Sequence, residues 1–513
     1  MIRVSKIFNK IKLHPIMTFM VLIIGTILLS AVLNLFEVGA TYNVVDNATK
    51  SYEQTMVTVE SLLSLSGFKY IFSSTVSSFV QFTPLSMLII ILIGIGVMEK
   101  SNFLKTSITL LTQNTKKQTV TFVISLICIL FSLVGDLGYV VMIPVSAIIF
   151  FYGRRNPILG IVTAYASLTC GTGLSLLMTA TDSSLISTSL SAATILDPNY
   201  TISVLGFMLI NVVAIVLIAL AITTITEKIS VFSVPKYEFK EERKEFKLTR
   251  KEVRGLVFAL TAGAIYCFII LYNVIPGLPF SGNLIDYSQE LFINKLFSPN
   301  SFFSQGFVFI VTTLFVILGL FYGIGAKTIK NNHDFSDTLG HSLDGIGETI
   351  VLIFMASVFI NIFKKTNIGI VVTSLFTNLI VASSFKGIPL IILLFILVSL
   401  ETLLLPNSTL KWSVMAGSVV PILMNAGISP EMGQVVFRFA ESVTYGLTPV
   451  MAYFVIYLAF VEKYNQSDEP IRLFSVLKYQ RPYAIATGGI LLVLLILWFV
   501  VGLPLGLHTL PTM

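Results

Sequence analysis

Residues 401–412, ETLLLPNSTLKW, interrupt a long apolar stretch of the chain. Residues 388–400 before them hold little besides Leu, Ile, Phe and Val, and apolar residues resume at Trp412. A segment that enters the hydrocarbon core of a membrane normally continues for about 20 apolar residues. Non-helical backbone at that depth is tolerated only where it is buried in protein or lines a water-filled cavity. The interruption therefore predicts a hairpin tip that faces a binding site.

The composition is that of a polytopic membrane protein. Of the 513 residues, 55% are hydrophobic and 12% are charged, about half the charged fraction of ordinary soluble domains. The net charge of +7 does not imply a nucleic-acid partner, because Lys and Arg lie mainly in short loops where they set topology. Cys128, Cys170 and Cys267 lie in apolar stretches without a pairing pattern, which indicates small packing residues.

Nine stretches are predicted to cross the membrane. They are 15–36, 84–98, 157–181, 201–226, 253–275, 307–326, 349–363, 430–461 and 483–506. The first has no small-residue cleavage site after it and is predicted to be a retained span rather than a signal peptide. Two further apolar stretches, 118–153 and 387–425, each carry a polar interruption.

Loop charges predict the orientation of the chain in the plasma membrane. The loops rich in Lys and Arg are 1–14, 99–118, 227–252 and 462–481, and those poor in them are 37–76 and 276–302. Positive loops stay inside, so the N-terminus is expected in the cytoplasm and the C-terminus outside. Both flanks of 118–153 are then cytoplasmic and both flanks of 387–425 external. Each stretch is predicted to be a re-entrant helical hairpin, with tips at 135–138 and 406–409.

A weak internal repeat accompanies the hairpins. EKSNFLKTSITLL at 99–111 resembles KKTNIGIVVTSLF at 364–376, and each precedes one hairpin and a crossing broken by small and polar residues. Inverted repeats with broken helices are typical of secondary transporters. The fold class is therefore predicted as an all-α, inverted-repeat secondary transporter. Its predicted parts are an N-terminal span with an external segment (1–83), a first repeat (84–200), scaffold helices (201–348), a second repeat (349–461), and a loop with the last span (462–513).

Ionisable residues within membrane segments are costly and usually functional. The six candidates are Asp136, Asp182, Glu401, Lys411, Arg438 and Glu441. Arg438 and Glu441 are three residues apart, so they share a helix face. They are predicted to form a structural ion pair, or Arg438 anchors an anionic substrate beside a gating or coupling Glu441.

Each polar group near an interrupted helix has two possible roles. Asp182 follows Gly171-Thr172-Gly173 among hydroxyl side chains. It is expected to cap the second half-helix or to bind Na⁺ or a proton, and the two roles are compatible. The tip residues 407–409 offer donors and acceptors for a substrate, or they cap the turn. Trp412 offers an aromatic face to a substrate, or it is a membrane-interface residue.

Signatures of enzymes do not accompany these residues. The chain has neither GxxxxGK[ST] nor HExxH, and its four histidines lack metal-ligand spacing. An SxxK pattern at 408–411 has no SDN or KTG with it and is attributed to chance. The protein is therefore not expected to be an enzyme or to hold a cofactor other than a coupling ion. A channel is disfavoured as well, since channels rarely need paired hairpins around one central site.

Four long motifs resemble the AbgT family, the p-aminobenzoyl-glutamate transporters. They are FVQFTPLSMLIIILIGIGVMEKSNFL (79–104), GDLGYVVMIPVSAIIFFYGRRNP (135–157), the segment with Asp182 and DPNY (197–200), and LKWSVMAGSVVPILMNAGISPEMGQVVFRFAESVTYGLTPVMAYF (410–454). The resemblance implies a homodimer of protomers with nine transmembrane helices and two re-entrant hairpins. It also implies transport of p-aminobenzoyl-glutamate, or export of sulfonamide-like antimetabolites, driven by Na⁺ or H⁺.

The resemblance implies functional roles for Asp182, Trp412, Pro430, Arg438 and Pro449 and for the tip residues 407–409. Together with the residues selected above, they complete the predicted site. The predicted substrate-binding residues are Asn407, Ser408, Thr409, Trp412, Arg438, Glu441, Ser442 and Pro449. The predicted ion-coupling residues, with Na⁺ expected near the first, are Asp182, Thr172, Gly173 and Glu441. The predicted structural or gating residues are Gly135, Asp136, Pro406 and Pro430.

The chain departs from the family pattern inside this site. Where the family usually has Arg-Ile-Gly-Asp-Ser, residues 438–442 read RFAES, and Tyr445 and Ser175 stand where Asn is usual. The longer Glu441 and the bulkier Ala440 and Tyr445 are expected to reshape the pocket. The alternative function is therefore transport of another carboxylate, such as a dicarboxylate, or sulfonamide-type drug export on the same fold.

Overall fold

The computed structural model describes residues 13–46, 51–203, 206–239, 247–290, 292–507 and 509–513. Most of the predicted cytoplasmic N-terminus and part of the 227–252 loop lie outside these residues. Within them the protein is mostly helical. Its helices of six residues or more are α1 (Pro15–Leu35), α2 (Leu65–Val80), α3 (Thr83–Lys100), α4 (Phe103–Thr112), α5 (Lys117–Leu130), α6 (Leu137–Tyr152), α7 (Pro157–Cys170), α8 (Ala180–Leu196), α9 (Met208–Ile225), α10 (Arg250–Val274), α11 (Phe292–Phe297), α12 (Phe302–Ala326), α13 (Asn332–Gly340), α14 (Gly347–Lys365), α15 (Ile368–Ala382), α16 (Ile388–Glu401), α17 (Ser408–Asn425), α18 (Pro430–Thr444), α19 (Phe454–Lys463) and α20 (Leu473–Val501).

Seven segments of the described chain are long and apolar enough to cross a membrane. They are Pro15–Leu35, Leu65–Lys100, Met208–Ser233, Arg250–Val274, Phe302–Ala326, Gly347–Lys365 and Leu473–Val501. These segments overlap seven of the nine predicted crossings. The other two predicted crossings, 157–181 and 430–461, are the ones expected to be broken, and each is divided between two shorter helices.

The expectation that all regular structure is helical was wrong in the predicted external segment 37–76. Strand β1 (Gly39–Asp46) pairs antiparallel with β2 (Ser51–Thr58), and α2 already begins at Leu65. The strand residues include several β-branched and aromatic side chains, which favour extended backbone. β1 packs against α15 and α17. The hairpin therefore covers the second interrupted stretch.

Several predicted boundaries also moved. The crossing predicted at 201–226 begins at Met208, and its helical backbone continues to Ser233. The last helix begins at Leu473 rather than at 483. Residues near the end of the former helix and the start of the last one were predicted to be loop because they include charged side chains. Long basic side chains at a helix end can, however, extend their charged tips to the membrane interface while the backbone stays helical.

Both interrupted stretches form two helices joined by a turn, as predicted. α5 and α6 are joined through residues 131–136, where Gly135 adopts the left-handed region at φ 62°. α16 and α17 are joined through residues 402–407. The second tip lies earlier than predicted, because Asn407 caps α17 by accepting the Leu410 N–H at 2.9 Å. That these helix pairs are re-entrant stays a prediction.

The repeated sequence forms the same local structure twice. Asn102 and Asn367 both adopt the left-handed region, with φ of 70° and 59°, and each opens a short helix after a long one. The hydroxyls of Ser101 and Thr366 each accept the N–H two residues further on, at 3.4 and 3.3 Å. Asn tolerates this backbone better than most residues, which explains its recurrence in the repeat.

Lys364 and Lys365 lie on the external side of the predicted topology, against the usual charge bias, so either they reach the membrane interface or that boundary is wrong. The Lys365 Nζ lies 2.6 Å from Glu60 Oε2, and the Glu60 N–H donates to the Thr366 carbonyl at 3.1 Å. The end of α14 and the segment after β2 therefore lie on the same face of the protein. The loop charges predict that both segments lie on the external side of the membrane.

The two broken crossings meet at the centre of the molecule. Every residue of α7 is buried, as expected for a helix that is apolar all round. The break after α7 touches α18, where the Gly173 N–H donates to Ser442 Oγ at 2.9 Å. A Cβ on Gly173 would lie 2.1 Å from the Arg438 carbonyl oxygen. Only glycine permits this approach of the two backbones.

Gly173→Ala is expected to force the broken crossings apart. Overpacking of this kind costs about 1–3 kcal/mol, so the apparent melting temperature of the purified protein should fall. Gly489→Ala is the matched control, because nothing lies within 4 Å of its Cβ position and it lies within α20. The control should melt at or slightly above the wild-type temperature. Equal melting of the two variants would contradict the close crossing.

Candidate functional site

A cavity of about 220 Å³ lies where the breaks converge. Its walls come from the first turn, both broken crossings, the start of α17, and the helices α11 and α12. The lining residues are Leu133, Val134, Gly135, Asp136, Tyr139, Leu168, Thr172, Thr179, Ala180, Thr181, Phe297, Ser304, Ser408, Arg438 and Tyr445. The first residues of α8 and α17 are among them, so two helix N-termini meet at the cavity.

The guanidinium of Arg438 forms the wall between the cavity and the protein interior. Its Nη2 donates to the Thr172 carbonyl at 2.6 Å, and its Nη1 donates to Ser408 Oγ at 3.2 Å and to Glu441 Oε2 at 3.1 Å. Its Nε lies 3.0 Å from Asp182 Oδ1, in an ion pair that is not aligned as a hydrogen bond. One side chain therefore joins both broken crossings to the second interrupted stretch.

Thr179 is the N-cap residue of α8, and Asp182 completes its capping box from the third position of the helix, so Asp182 supports the predicted cap without being the cap residue. Its Oδ2 accepts the Thr179 N–H at 3.1 Å, the Thr179 hydroxyl at 2.7 Å and the Ser175 hydroxyl at 2.8 Å. Its Oδ1 faces the Arg438 guanidinium. Because every oxygen of this carboxylate faces a hydrogen-bond donor or a cation, the arrangement does not fit Na⁺. The expected Na⁺ site near Asp182 stays a prediction that requires Arg438 to move.

Glu441 joins Arg438 to a second cation, Lys411. The Lys411 Nζ lies 3.0 Å from Glu441 Oε1, and both side chains are fully buried. The same Nζ donates to Thr402 Oγ1 at 2.5 Å and lies 5.3 Å from the centre of the Phe437 ring. Lys411 comes from α17 and Glu441 from α18, so this ion pair ties the second interrupted stretch to the second broken crossing.

The charges of these four residues balance. Asp182 and Glu441 supply two negative charges, and Arg438 and Lys411 supply two positive charges in an alternating chain. Buried charges are tolerated when they are paired and hydrogen-bonded. The predicted structural ion pair between Arg438 and Glu441 is therefore present, and Arg438 still lines the cavity.

Trp412 lies away from the cavity lining. Its side chain is fully buried, its Nε1 donates to Ser189 Oγ at 2.9 Å, and its ring packs on Phe437 with centroids 4.7 Å apart. The alternative reading as a membrane-interface residue does not describe a side chain enclosed by protein. Stacking of a substrate on Trp412 stays a prediction, and it requires the start of α17 to move.

The other predicted site residues divide into three groups. Gly135, Asp136, Thr172 and Ser408 line the cavity. Gly173 and Ser442 hold the crossing of the two breaks. The remaining ones are the exposed tip residues Asn407 and Thr409, the half-buried Pro406 and Pro449, and Pro430 at the start of α18.

Sequence reasoning missed several residues of the site. Lys411 was noted as ionisable but was given no role, although the opposite charge of Glu441 on the second broken crossing was a usable signal. Ser175 and Thr179 were not assigned to the Asp182 cap, although a Thr three residues before an Asp is a capping-box pattern. Phe297 and Ser304 reach the cavity from helices outside both repeats, and no local pattern points to them.

These features define a multi-pass membrane protein with a polar cavity between broken helices, a class to which many transporters belong. A match to the family described as "AbgT putative transporter family" covers residues 2–513, so the chain belongs to this family of transporters. The p-aminobenzoyl-glutamate transport protein of Escherichia coli (strain K12) is 27% identical over 98% of this chain and 95% of its own length.

Two solved structures are also similar to the chain. The YdaH transporter of Alcanivorax borkumensis is 27% identical, with a TM-score of 0.49, over 96% of this chain and all of that one. The antimetabolite efflux pump MtrF of Neisseria gonorrhoeae is 26% identical, with a TM-score of 0.48, over 97% of each chain.

The charge balance predicts the stability of variants at Lys411 and Glu441. Lys411→Met alone leaves a negative charge in excess and should destabilise by about 3–5 kcal/mol. Lys411→Met combined with Glu441→Gln removes one charge of each sign, so the double variant should be more stable than the single one. Unfolding of the purified proteins, followed by denaturant titration, measures the difference.

Lys365→Met is the control for loss of a lysine from an ion pair. Its pair with Glu60 is partly exposed, and exposed pairs contribute about 0–1 kcal/mol. A Lys411→Met variant that is as stable as Lys365→Met would show that the buried chain of charges is not required.

Proposed function

We propose that this protein is an ion-coupled secondary transporter of p-aminobenzoyl-glutamate or a related aromatic carboxylate across the plasma membrane. Its membership of a transporter family and the name of the Escherichia coli relative support the substrate class. The single observation that carries the proposal is Arg438, a buried cation on the wall of a cavity between two helix breaks. The predicted orientation, with a cytoplasmic N-terminus and an external C-terminus, belongs to the same proposal.

The cavity suits a carboxylate. A guanidinium binds a carboxylate through parallel N–H donors. The N-terminal residues of α8 and α17 line the same space, and helix N-termini favour negative charge. The Ser408 hydroxyl, which accepts a hydrogen bond from Arg438, adds a neutral donor to the same space, whereas the hydroxyls of Thr172 and Thr179 already donate to Leu168 and Asp182.

The balanced charges give a physical reason for coupling to an ion. The substrate carboxylate must take the place of Asp182 Oδ1, whose contact with Arg438 is the least aligned of the four. The buried site then holds one negative charge more than before, and an unpaired buried charge is costly. A cation that enters with the substrate, Na⁺ or H⁺, removes this cost. The substrate and the ion therefore bind more favourably together than separately.

Alternating access belongs to the proposal as well. The first and second interrupted stretches are re-entrant hairpins in inverted repeats, and the homodimer interface and the outer helices form a scaffold. The cavity is lined by hairpin and broken-helix residues on one side and by Phe297 and Ser304 of the outer helices on the other. Movement of the first group past the second, as in an elevator, exposes the cavity to each side of the membrane in turn.

A second substrate class is supported by two features of the site. Tyr445, which departs from the family pattern, lines the cavity, and the Trp412 ring is enclosed away from it. A smaller carboxylate such as a dicarboxylate needs no aromatic partner. Competition of dicarboxylates and sulfonamides with labelled p-aminobenzoyl-glutamate distinguishes these candidates, since the true substrate inhibits most strongly.

Arg438→Ala is expected to abolish uptake of labelled p-aminobenzoyl-glutamate into proteoliposomes, because the carboxylate loses its cationic partner. Arg438→Lys keeps the charge but not the paired donors, and it should retain weak uptake. A loss of 2–5 kcal/mol from a buried charge partner corresponds to at least about a 30-fold weaker half-saturation.

Arg155→Ala controls for loss of a buried arginine outside the cavity, since Arg155 pairs with Glu227 at 2.5 Å. Light scattering of each purified protein first tests the proposed homodimer and excludes misassembled variants. Normal uptake by homodimeric Arg438→Ala would refute the anchoring role of Arg438.

A further inference from the structure

We infer that Glu401 is the proton-binding group of this protein, and that its protonation decides whether Lys411 stays bound to Glu441. The inference rests on the proposed transport function and names the group that carries the coupling ion. Glu401 is the last residue of α16 and is 1% exposed. Neither of its carboxyl oxygens accepts a hydrogen bond from the described part of the chain. This isolation distinguishes it from Asp182 and Glu441.

The surrounding charges leave no partner for an ionised Glu401. The charged groups that act on its carboxyl are Lys411, which attracts the ionised form, and Glu441, which repels it. Lys411 is already bound to Glu441 and to Thr402. The four-residue chain is neutral without Glu401, so a fifth charge would be unbalanced. A neutral carboxyl, with the proton on one oxygen, is the form that suits the arrangement seen here.

Loss of that proton changes the balance at Lys411. An ionised Glu401 competes with Glu441 for the Lys411 ammonium, and it has the advantage of lying on the same interrupted stretch as Lys411. The Lys411–Glu441 pair crosses from α17 to α18. Transfer of Lys411 to Glu401 therefore releases the second interrupted stretch from the second broken crossing, while the charge of the whole cluster becomes one unit more negative.

The same step couples the proton to the substrate. With a substrate carboxylate bound, the cluster carries one excess negative charge when Glu401 is protonated and two when it is ionised, so the proton favours entry of the substrate. A proton taken from one side of the membrane forms the O–H of Glu401, and it leaves to water on the other side after the substrate has gone. Each cycle then moves one proton with one substrate, without any other reactant.

Glu401→Gln is the test, because glutamine has the shape of the protonated acid and cannot release a proton. Wild-type proteoliposomes should accumulate substrate about tenfold further for each pH unit of an imposed gradient, if one proton is coupled. The variant should equilibrate substrate without accumulation under the same gradient, and its counterflow exchange should persist. Proton-driven accumulation that survives in the variant would overturn the assignment.

Infrared spectra of the wild type and the variant, compared as a difference, provide a readout that does not depend on transport. The wild type should show the carbonyl stretch of protonated carboxyl groups at neutral pH, and Glu401→Gln should lose the part of this band that comes from Glu401. Glu227→Gln is the matched control, because Glu227 is paired with Arg155 away from the Lys411 cluster; the band should be unchanged in that variant. A band of undiminished intensity in Glu401→Gln would overturn the proton site.

The two readouts separate the failure of this inference from failure of the proposed function. Absence of substrate uptake by wild-type protein counts against the proposed function, and the infrared band then decides the proton site alone. Accumulation driven by a Na⁺ gradient and not by a proton gradient would support the proposed transport function. It would overturn the role of Glu401.

Discussion

One guanidinium, that of Arg438, holds the centre of this protein together. It contacts the carbonyl of the first break, the cap of α8, the first hydroxyl of α17 and a carboxylate on its own helix. These contacts join three segments whose helices are interrupted: the first broken crossing, the second interrupted stretch and the second broken crossing. Broken backbone is stable at membrane depth only when such partners satisfy it, so the cavity depends on this single side chain.

The same contacts make the site responsive to charge. Two cations and two anions alternate through the buried centre, and any ligand or proton that enters must alter that balance. Lys411 extends the chain from Arg438 to the second interrupted stretch, and the close crossing at Gly173 fixes the geometry of the breaks. The proposed substrate binding, ion coupling and hairpin movement would thus all follow from one electrostatic arrangement.

Much of the fold could be predicted from local patterns in the sequence. Apolar length predicted the membrane segments, polar interruptions such as 401–412 predicted the turns, and the similar stretches 99–111 and 364–376 predicted a local structure that occurs twice. Local patterns were insufficient where tertiary packing decides. The β-hairpin was missed because its two eight-residue strands lie in a loop between membrane segments and lack strict alternation of polar and apolar residues. The enclosure of Trp412 and the reach of Ser304 into the cavity depend on how helices pack, which a single sequence does not show.

Crosslinking across the cavity tests most directly whether the hairpins move past the outer helices. Ser304→Cys and Ser408→Cys place one thiol on each side of the cavity, in a background where the exposed Cys267 is replaced by serine. Joining them with a reducible bifunctional thiol reagent should stop uptake of p-aminobenzoyl-glutamate, and reduction should restore it, while each single-cysteine variant after the same treatment should lose only the part of its uptake that a modified side chain in the cavity obstructs. Unimpaired uptake by fully crosslinked protein would contradict a moving hairpin.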